Sequence, residues 1–243
     1  MDESLIAAIR ARLESVHEQI ALVAQSAGRN PSSVRLVVVT KTHPLESVQA
    51  AIAAGAQNLG ENYAEEAVAK MGVIGAGPAK WHMIGHVQSR KADLVASHFD
   101  LMHSLDSLKL ANRLDRFSAQ AGRRLPVLLE VNVSGEGSKF GYPAWDESQW
   151  PALAEEARQA AALPNLQVCG LMTMPPFADE AEESRSFFVI TRRLQEYLAR
   201  HVPEAGWGQL SMGTSVDFTV AVEEGATLVR VGTAIMGQRQ ARG

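Results

Sequence analysis

The chain has 243 residues, 46% of them hydrophobic and 21% charged, with 23 Lys and Arg against 27 Asp and Glu for a formal net charge of −4. That composition suits a globular chain with one large core. It offers no basic excess for nucleic acid or an anionic membrane, and no apolar run near the roughly 20 residues that span a bilayer. The single cysteine, Cys169, excludes an internal disulfide and a Cys-rich metal site.

In chain order, apolar residues at helical spacing (Leu5, Ile6, Ile9, Leu13, Val16, Ile20, Val23) predict an amphipathic helix over 2–27, ending at Gly28. This N-terminus is charged and lacks a basic stretch followed by an apolar one, so it does not read as a secretory signal, and the cytoplasm is expected. VRLVVVT (34–40) is a short continuous β-branched run, which reads as a strand buried on both faces. It leads directly to Lys41, Thr42, His43 and Pro44, and the proline ends the strand near Lys41. A helix over 45–54 closes at Gly55. NLGEN (58–62) is a second strand, followed by a helix over 63–71 and the loose GVIGAGP (72–78).

KWHMIG (80–85) is a third strand, with a helix running on through Val95, and DLMHSL (100–105) a fourth. Asp106 is a suitable N-cap for a helix over 107–121. LPVLLEVNV (125–133) is a fifth strand that exits into the glycine-rich SGEGSKFG (134–141), with a helix over 147–162 after it. LQVCGLMTM (166–174) is a sixth strand, followed by a long helix from Asp179 to about His201. QLSMG (209–213) is a seventh, with Ser215 capping a short helix to Glu224. ATLVRVG (226–232) is an eighth, leading into TAIMG.

Strands alternating with helices at this period imply parallel pairing through right-handed crossovers. Eight units over this length predict one α/β domain, 1–243, folded as a single (β/α)8 TIM-type barrel with residues 1–28 as an added helix. A doubly wound open sheet is the alternative, but a lysine stands where its phosphate fingerprint would follow the first strand.

In such a barrel, reactive groups sit at the C-terminal strand ends. Those ends carry Lys41 and Thr42, Glu61 and Asn62, His86, Ser104, Asn132, Met172 to Met174, Ser211 to Ser215, and Arg230 with Gly232 and Thr233. SMGTS (211–215) and GTA (232–234) bring glycines and hydroxyls to helix starts after the last two strands, the usual place for a phosphate in a barrel. The plain alternative is a pair of tight turns. A phosphate beside Lys41 suggests a phosphorylated aldehyde bound as a Schiff base, with partial burial depressing the amine's pKa. The alternative for Lys41 is a salt-bridged rim lysine. Lys139 is the rival amine, on a loop that positions it less well than a strand end does. His82 and His86 read as packing and polar satisfaction rather than metal ligands. GVIGAGP precedes a strand, so it is no dinucleotide loop. Cys169 reads as core, and the acidic stretches within 93–115 and 179–183 as solvated helix faces.

VVVTKTHP, NLGENYAEE, WHMIGHVQSRK, LLEVNVSGEGSKFG, CGLMTM, LSMGTSVDF and VRVGTAIMG, in this order, resemble the pyridoxal phosphate homeostasis protein family from Val34 to Gly237. The resemblance implies a barrel similar to the N-terminal domain of alanine racemase, with pyridoxal 5′-phosphate (PLP) as cofactor. It implies that Lys41 forms the covalent aldimine. Ser211, Gly213, Thr214, Ser215, Gly232 and Thr233 would hold the phosphate. Arg230 would approach the pyridine nitrogen and leave it unprotonated. Asn62 would lie near the cofactor and Met172 along its face. The sequence departs from the family pattern at Arg90, where asparagine is usual, at Thr214, where methionine is more common, and at Met236, where phenylalanine is frequent.

The implied role is a PLP carrier of intracellular PLP homeostasis and delivery, without strong catalysis of its own. Apo PLP-dependent enzymes are its expected partners, and a monomer its expected state. A PLP-dependent amino acid racemase is the alternative. Racemases use a tyrosine from a separate C-terminal domain, and this chain ends about ten residues beyond its eighth strand. Its own tyrosines are Tyr63, Tyr142 and Tyr197, of which the first two fall near the mouth. A phosphosugar-binding barrel is the third reading.

Overall fold

In a computed structural model, residues 2–77 and 79–238 are described. Nine helices run α1 (Glu3–Ser26), α2 (Leu45–Ala53), α3 (Ala64–Ile74), α4 (Ala92–His98), α5 (Leu108–Gln120), α6 (Trp150–Ala161), α7 (Arg185–His201), α8 (Phe218–Glu223) and α9 (Thr233–Met236) among these residues. The strands are β1 (Arg35–Val39), β2 (Asn58–Glu61), β3 (Lys80–Met83), β4 (Leu101–Leu105), β5 (Leu125–Asn132), β6 (Tyr142–Pro143), β7 (Leu166–Thr173), β8 (Gln209–Ser211) and β9 (Leu228–Val231).

Every strand pairing is parallel, in the order β4-β3-β2-β1-β9-β8-β7-β5, and β4 pairs β5 to close the ring. The eight-stranded barrel of the sequence analysis is therefore present. Closure places β1 against β9, with Val37 opposite Arg230 and Val38 opposite Val231. β6 is an addition the sequence did not predict: two residues of the loop after β5 fold back to pair with its end, Val131 opposite Tyr142.

Helix α1 opens on Asp2, whose carboxylate accepts from the Ser4 and Leu5 N–H groups at 2.9 and 3.3 Å. Its buried stripe is Ile9, Leu13, Val16, Ile20 and Ala24, the spacing of one helical face. That stripe packs on α2, α8 and α9. Two expected caps fall elsewhere. Ser107, not Asp106, caps α5 by accepting the Leu110 N–H at 3.3 Å, and Asp106 instead pairs with His86. Asp217, not Ser215, stands at the N-cap of α8. The long helix after β7 starts at Arg185, behind a 3₁₀ turn over Ala181–Ser184.

The barrel interior holds an apolar cluster of Val37, Leu101, Leu128, Cys169, Met172 and Leu228, distinct from the larger core between sheet and helices. Two residues further along from Leu101, Leu128 and Leu228 stand His103, Glu130 and Arg230, so polarity rises toward the C-terminal ends. The pairing of β5 with β7 carries a register shift where Val127 meets Val168 and Leu128 meets Gly170. Gly170 takes φ +153 there, and a Cβ on it would lie 1.8 Å from the Gln209 carbonyl oxygen. Only glycine lets β7 and β8 pair at that point.

Candidate functional site

Lys41 lies just past β1, in a turn rather than in the strand, and is half-buried. The turn is set by its neighbours. Thr40 keeps the barrel register by donating its N–H to the Gly60 carbonyl at 3.0 Å. Thr42 then takes φ 64, the one positive φ at a non-glycine residue among those described. That reversal ends the extended run before Pro44 and aims the chain into α2. Beside it, Thr42 Oγ1 and Asn62 Oδ1 are buried with no hydrogen-bond partner among the described residues. Buried polar atoms without partners are uncommon, and at a strand end next to an amine these two are open to hydrogen-bond a ligand.

Across the β1–β9 seam lie the two hydroxyl-rich turns. After β8, Gly213 has φ +91, and a Cβ there would lie 2.6 Å from the Ala221 Cβ and 2.9 Å from the Phe218 Cα. The glycine thus lets the turn settle onto α8. The Ser215 hydroxyl accepts the Gly232 N–H at 3.1 Å, which joins the β8 turn to the β9 turn. Gly232 itself packs on Val39, two residues before Lys41. Thr233 is exposed at the first position of α9, where a helical N–H has no carbonyl to reach. Thr214 is differently engaged: its N–H and hydroxyl both donate to Asp217 Oδ1, at 2.6 and 2.9 Å. Its donors are committed to a carboxylate, so Ser215, Gly232 and Thr233 form the part of the expected set that stays together facing the mouth.

Ser211 also sits apart from that set. It is fully buried, and its Oγ accepts from Arg230 Nη1 at 2.5 Å and lies 2.7 Å from His103 Nδ1. His103 Nε2 is in turn 2.8 Å from His82 Nδ1. A continuous buried chain, His82–His103–Ser211–Arg230, thus crosses the barrel interior and holds the guanidinium. Burial pushes His82 down to about 4 and His103 well below the usual imidazole range, so both rings are neutral near pH 7. Burial also lowers Arg230, to about 10, with Asp217 and Glu130 opposing, and it stays protonated. Arg230 Nη2 donates to the Thr173 carbonyl at 2.9 Å and contacts Met174 Sδ at 2.8 Å. Three of the five guanidinium N–H groups are so directed among the described residues, which leaves two there for an acceptor such as a ring nitrogen.

Met172 belongs to the apolar cluster inside the barrel and is 1% exposed. Met174, which touches Arg230, is the methionine that reaches the mouth. On the β3–β5 side of the mouth a cleft of about 400 Å³ is lined by His86, Asp106, Lys139 and Phe140, among others. His86 bonds Asp106 at 3.0 Å and stacks on Phe140 with ring centroids 3.9 Å apart. The rival amine Lys139 donates to the Pro175 carbonyl at 3.1 Å. Arg90 is exposed and bonded only locally among the described contacts, to Gln88 at 2.9 Å. Tyr142 is buried in β6, its hydroxyl without a partner among the described residues. No group of three or more His, Cys, Asp or Glu among the described residues is placed to hold a metal, and no helix among them is long and apolar enough to cross a membrane.

Sequence reasoning passed over His103, Glu130, Lys70 and Asp217. Polar residues at inward positions of otherwise apolar strands (His103 in LMHSL, Glu130 in VLLEV) were the available signal.

Residues 11–240 match the family model described as alanine racemase, N-terminal domain. A pyridoxal phosphate homeostasis protein of Pseudomonas aeruginosa is 43% identical over 232 residues, which is 95% of this chain and 96% of that protein. The structure of PipY from Synechococcus elongatus PCC7942 with PLP bound superposes with a TM-score of 0.82 at 36% identity, covering 94% of this chain and all of that one. An alanine racemase of Clostridium difficile 630 shares the fold alone, at a TM-score of 0.69 and 14% identity, with 56% of its length covered. The chain thus belongs to the pyridoxal phosphate homeostasis protein family, built on the alanine racemase N-terminal barrel.

Proposed function

We propose that this chain binds pyridoxal 5′-phosphate at the mouth of its barrel and holds it through Lys41 as a Schiff base. Its role is to store the cofactor in the cytoplasm and pass it to apo PLP-dependent enzymes, without strong catalytic activity of its own. The observation that carries this reading is the meeting of an amine and an anion-type turn at one seam: Gly232 packs on Val39, two residues from Lys41, and its N–H is tied to Ser215. The PLP bound in PipY, a relative covered over its full length, supports the same ligand.

When bound, the cofactor supplies an aldehyde to the amine and a phosphate to the turns. Ser215 and Thr233 offer hydroxyls, and the start of α9 offers backbone N–H groups, to the phosphate. Arg230 would offer a spare donor to the pyridine nitrogen, and the neutral histidine chain behind Ser211 keeps the guanidinium in place. A permanently protonated guanidinium there does not give up its proton, so the ring is a weak electron sink, which suits storage better than catalysis. Thr42 Oγ1 and Asn62 Oδ1 supply unpartnered polar atoms beside the amine.

The test is an absorption spectrum of the purified protein with added PLP, then borohydride reduction and peptide mapping. A visible band, lost in Lys41→Ala, and a reduced adduct on Lys41 are expected. A colourless protein that PLP cannot reconstitute overturns the reading. Rapid deuterium exchange at Cα of alanine or serine would instead establish the racemase.

A further inference from the structure

Behind the Lys41 turn lies a buried ionic cluster that the reading above does not use. Lys70, on α3, is 7% exposed. Its Nζ is 2.8 Å from Glu61 Oε1 at the end of β2 and 2.8 Å from Glu66 Oε1 on its own helix, and it donates to the Thr40 carbonyl at 3.2 Å. Two of those contacts are hydrogen bonds and the third is an ion pair, so the ammonium is held from three sides. The partners grip both neighbours of Lys41. Thr40 gives its carbonyl to Lys70 and donates its hydroxyl to Glu61 Oε1 at 2.8 Å. Thr42 donates its N–H to Glu66 Oε1 at 3.1 Å.

This arrangement is costly by itself. Burial raises the Glu61 carboxyl, with the Lys70 hydrogen bond opposing, and its Oε2 has no partner among the described residues. A β-branched residue at φ 64 is strained by about 1–2 kcal/mol, and such a conformation persists only where the surroundings over-determine it. The cluster supplies that surrounding, through one residue on each side of the amine.

We propose that Glu66 and Lys70 are positioning residues for the Lys41 amine: together they clamp Thr40 and Thr42, force the left-handed turn, and fix Lys41 at the mouth. Lys70 orients Glu66 and Glu61, and Glu66 holds the strained N–H directly. The proposal rests on Lys41 being the reacting group, and its test separates the two.

Trace labelling of every lysine by acetic anhydride across pH 6–11, mapped by peptide mass spectrometry, reads the reactivity of Lys41 without cofactor. A parallel stopped-flow measurement reads the rate of visible-band formation with PLP. Glu66→Ala is expected to slow both at Lys41 by roughly tenfold and displace its labelling profile, as small misplacements of a reacting group do. Glu66→Gln keeps an acceptor for the Thr42 N–H, should fold where the alanine variant does not, and is expected to recover most of the rate. In a Thr42→Gly background, where φ 64 carries no strain, Glu66→Ala is expected to cost little more. Unchanged labelling of Lys41 in Glu66→Ala and Glu66→Gln overturns the proposal, and so does an equal loss in the glycine background. A wild type that labels normally yet forms no band with PLP overturns the Schiff-base reading and leaves the labelling comparison to decide the clamp.

Discussion

Glu130 illustrates how a single inward-facing side chain sets a measurable property of the barrel. It lies on β5 opposite Met172, is 8% exposed, and leaves Oε2 without a partner among the described residues. Burial, aided by the nearby Asp106 charge, raises it to about 7, against the partial opposition of Arg230 and Lys139. A carboxyl raised in the folded state contributes stability below its unfolded value of about 4.5, and that contribution is lost as pH rises through 7. Glu130→Gln is therefore expected to leave stability unchanged near pH 4.5 and to raise it at pH 8. The conversion of the shift gives at most roughly 3 kcal/mol. Urea midpoints at the two pH values check this, and an unchanged or lower midpoint at pH 8 refutes it. Gly213 makes a second residue-scale case. Gly213→Ala must adopt φ +91 while its Cβ presses on Ala221 and Phe218, so it is expected to lose about 1–3 kcal/mol of stability. Because Gly213 opens the turn that carries Ser215, PLP affinity should fall as well, measurable by fluorescence titration.

At the scale of elements, the order of strands and helices was legible because it rests on local signals: β-branched runs, helical spacing, and glycines such as Gly28 at helix ends. The ends were less legible, because they depend on contacts. β1 stops at Val39 since Thr42 is held by Glu66, a partner 24 residues away. β6 exists only because the loop after β5 folds back onto that strand, and the N-cap position of α8 falls on Asp217, whose carboxylate turns back to the Thr214 N–H, and not on Ser215. Within the site, Lys41, Ser215, Gly232 and Thr233 could be grouped from strand order alone. The turning of Ser211 and Arg230 toward His103, and of Thr214 toward Asp217, could not, since both are tertiary hydrogen bonds. Helix α1 bears on the site in the same indirect way, by covering α8 and α9. Ile9→Ala, at a fully buried position, is expected to cost about 2–5 kcal/mol and also to weaken PLP binding. Leu153→Ala on α6, packed away from those helices, should cost a comparable amount without changing affinity. Equal effects of the two on affinity would show that α1 has no special bearing on the site.

Closure of the whole barrel turns four polar residues on different strands into one buried chain. His82 on β3, His103 on β4, Ser211 on β8 and Arg230 on β9 meet only because the ring is complete. The chain tolerates one protonation state, since Arg230 is already cationic and a second buried charge has no anion beside it in this line of contacts. The sign follows from the depressed imidazoles. For His82 the stabilising contribution is fully present above the unfolded value near 6.5 and is lost as pH falls through about 4, and burial depresses His103 in the same direction. For His82 alone the shift corresponds to roughly 3 kcal/mol, and His103 adds in the same direction. Glu130 works oppositely over much of that range, because it regains stability on acidification. The intact protein is therefore expected to lose stability only gently between pH 7 and 5, since one carboxyl offsets one of the two imidazoles, whereas Glu130→Gln exposes both histidine contributions and loses stability about twice as steeply below pH 6.5. His82→Gln, which keeps a polar partner for His103, should flatten that slope in the Glu130→Gln background. Urea denaturation of the three proteins from pH 8 to 4.5 measures the slopes, and nitrogen-15 chemical shifts of the imidazoles report the protonation state directly. Histidine signals at positions 82 and 103 that titrate near 6.5 would show that the barrel interior admits the second charge.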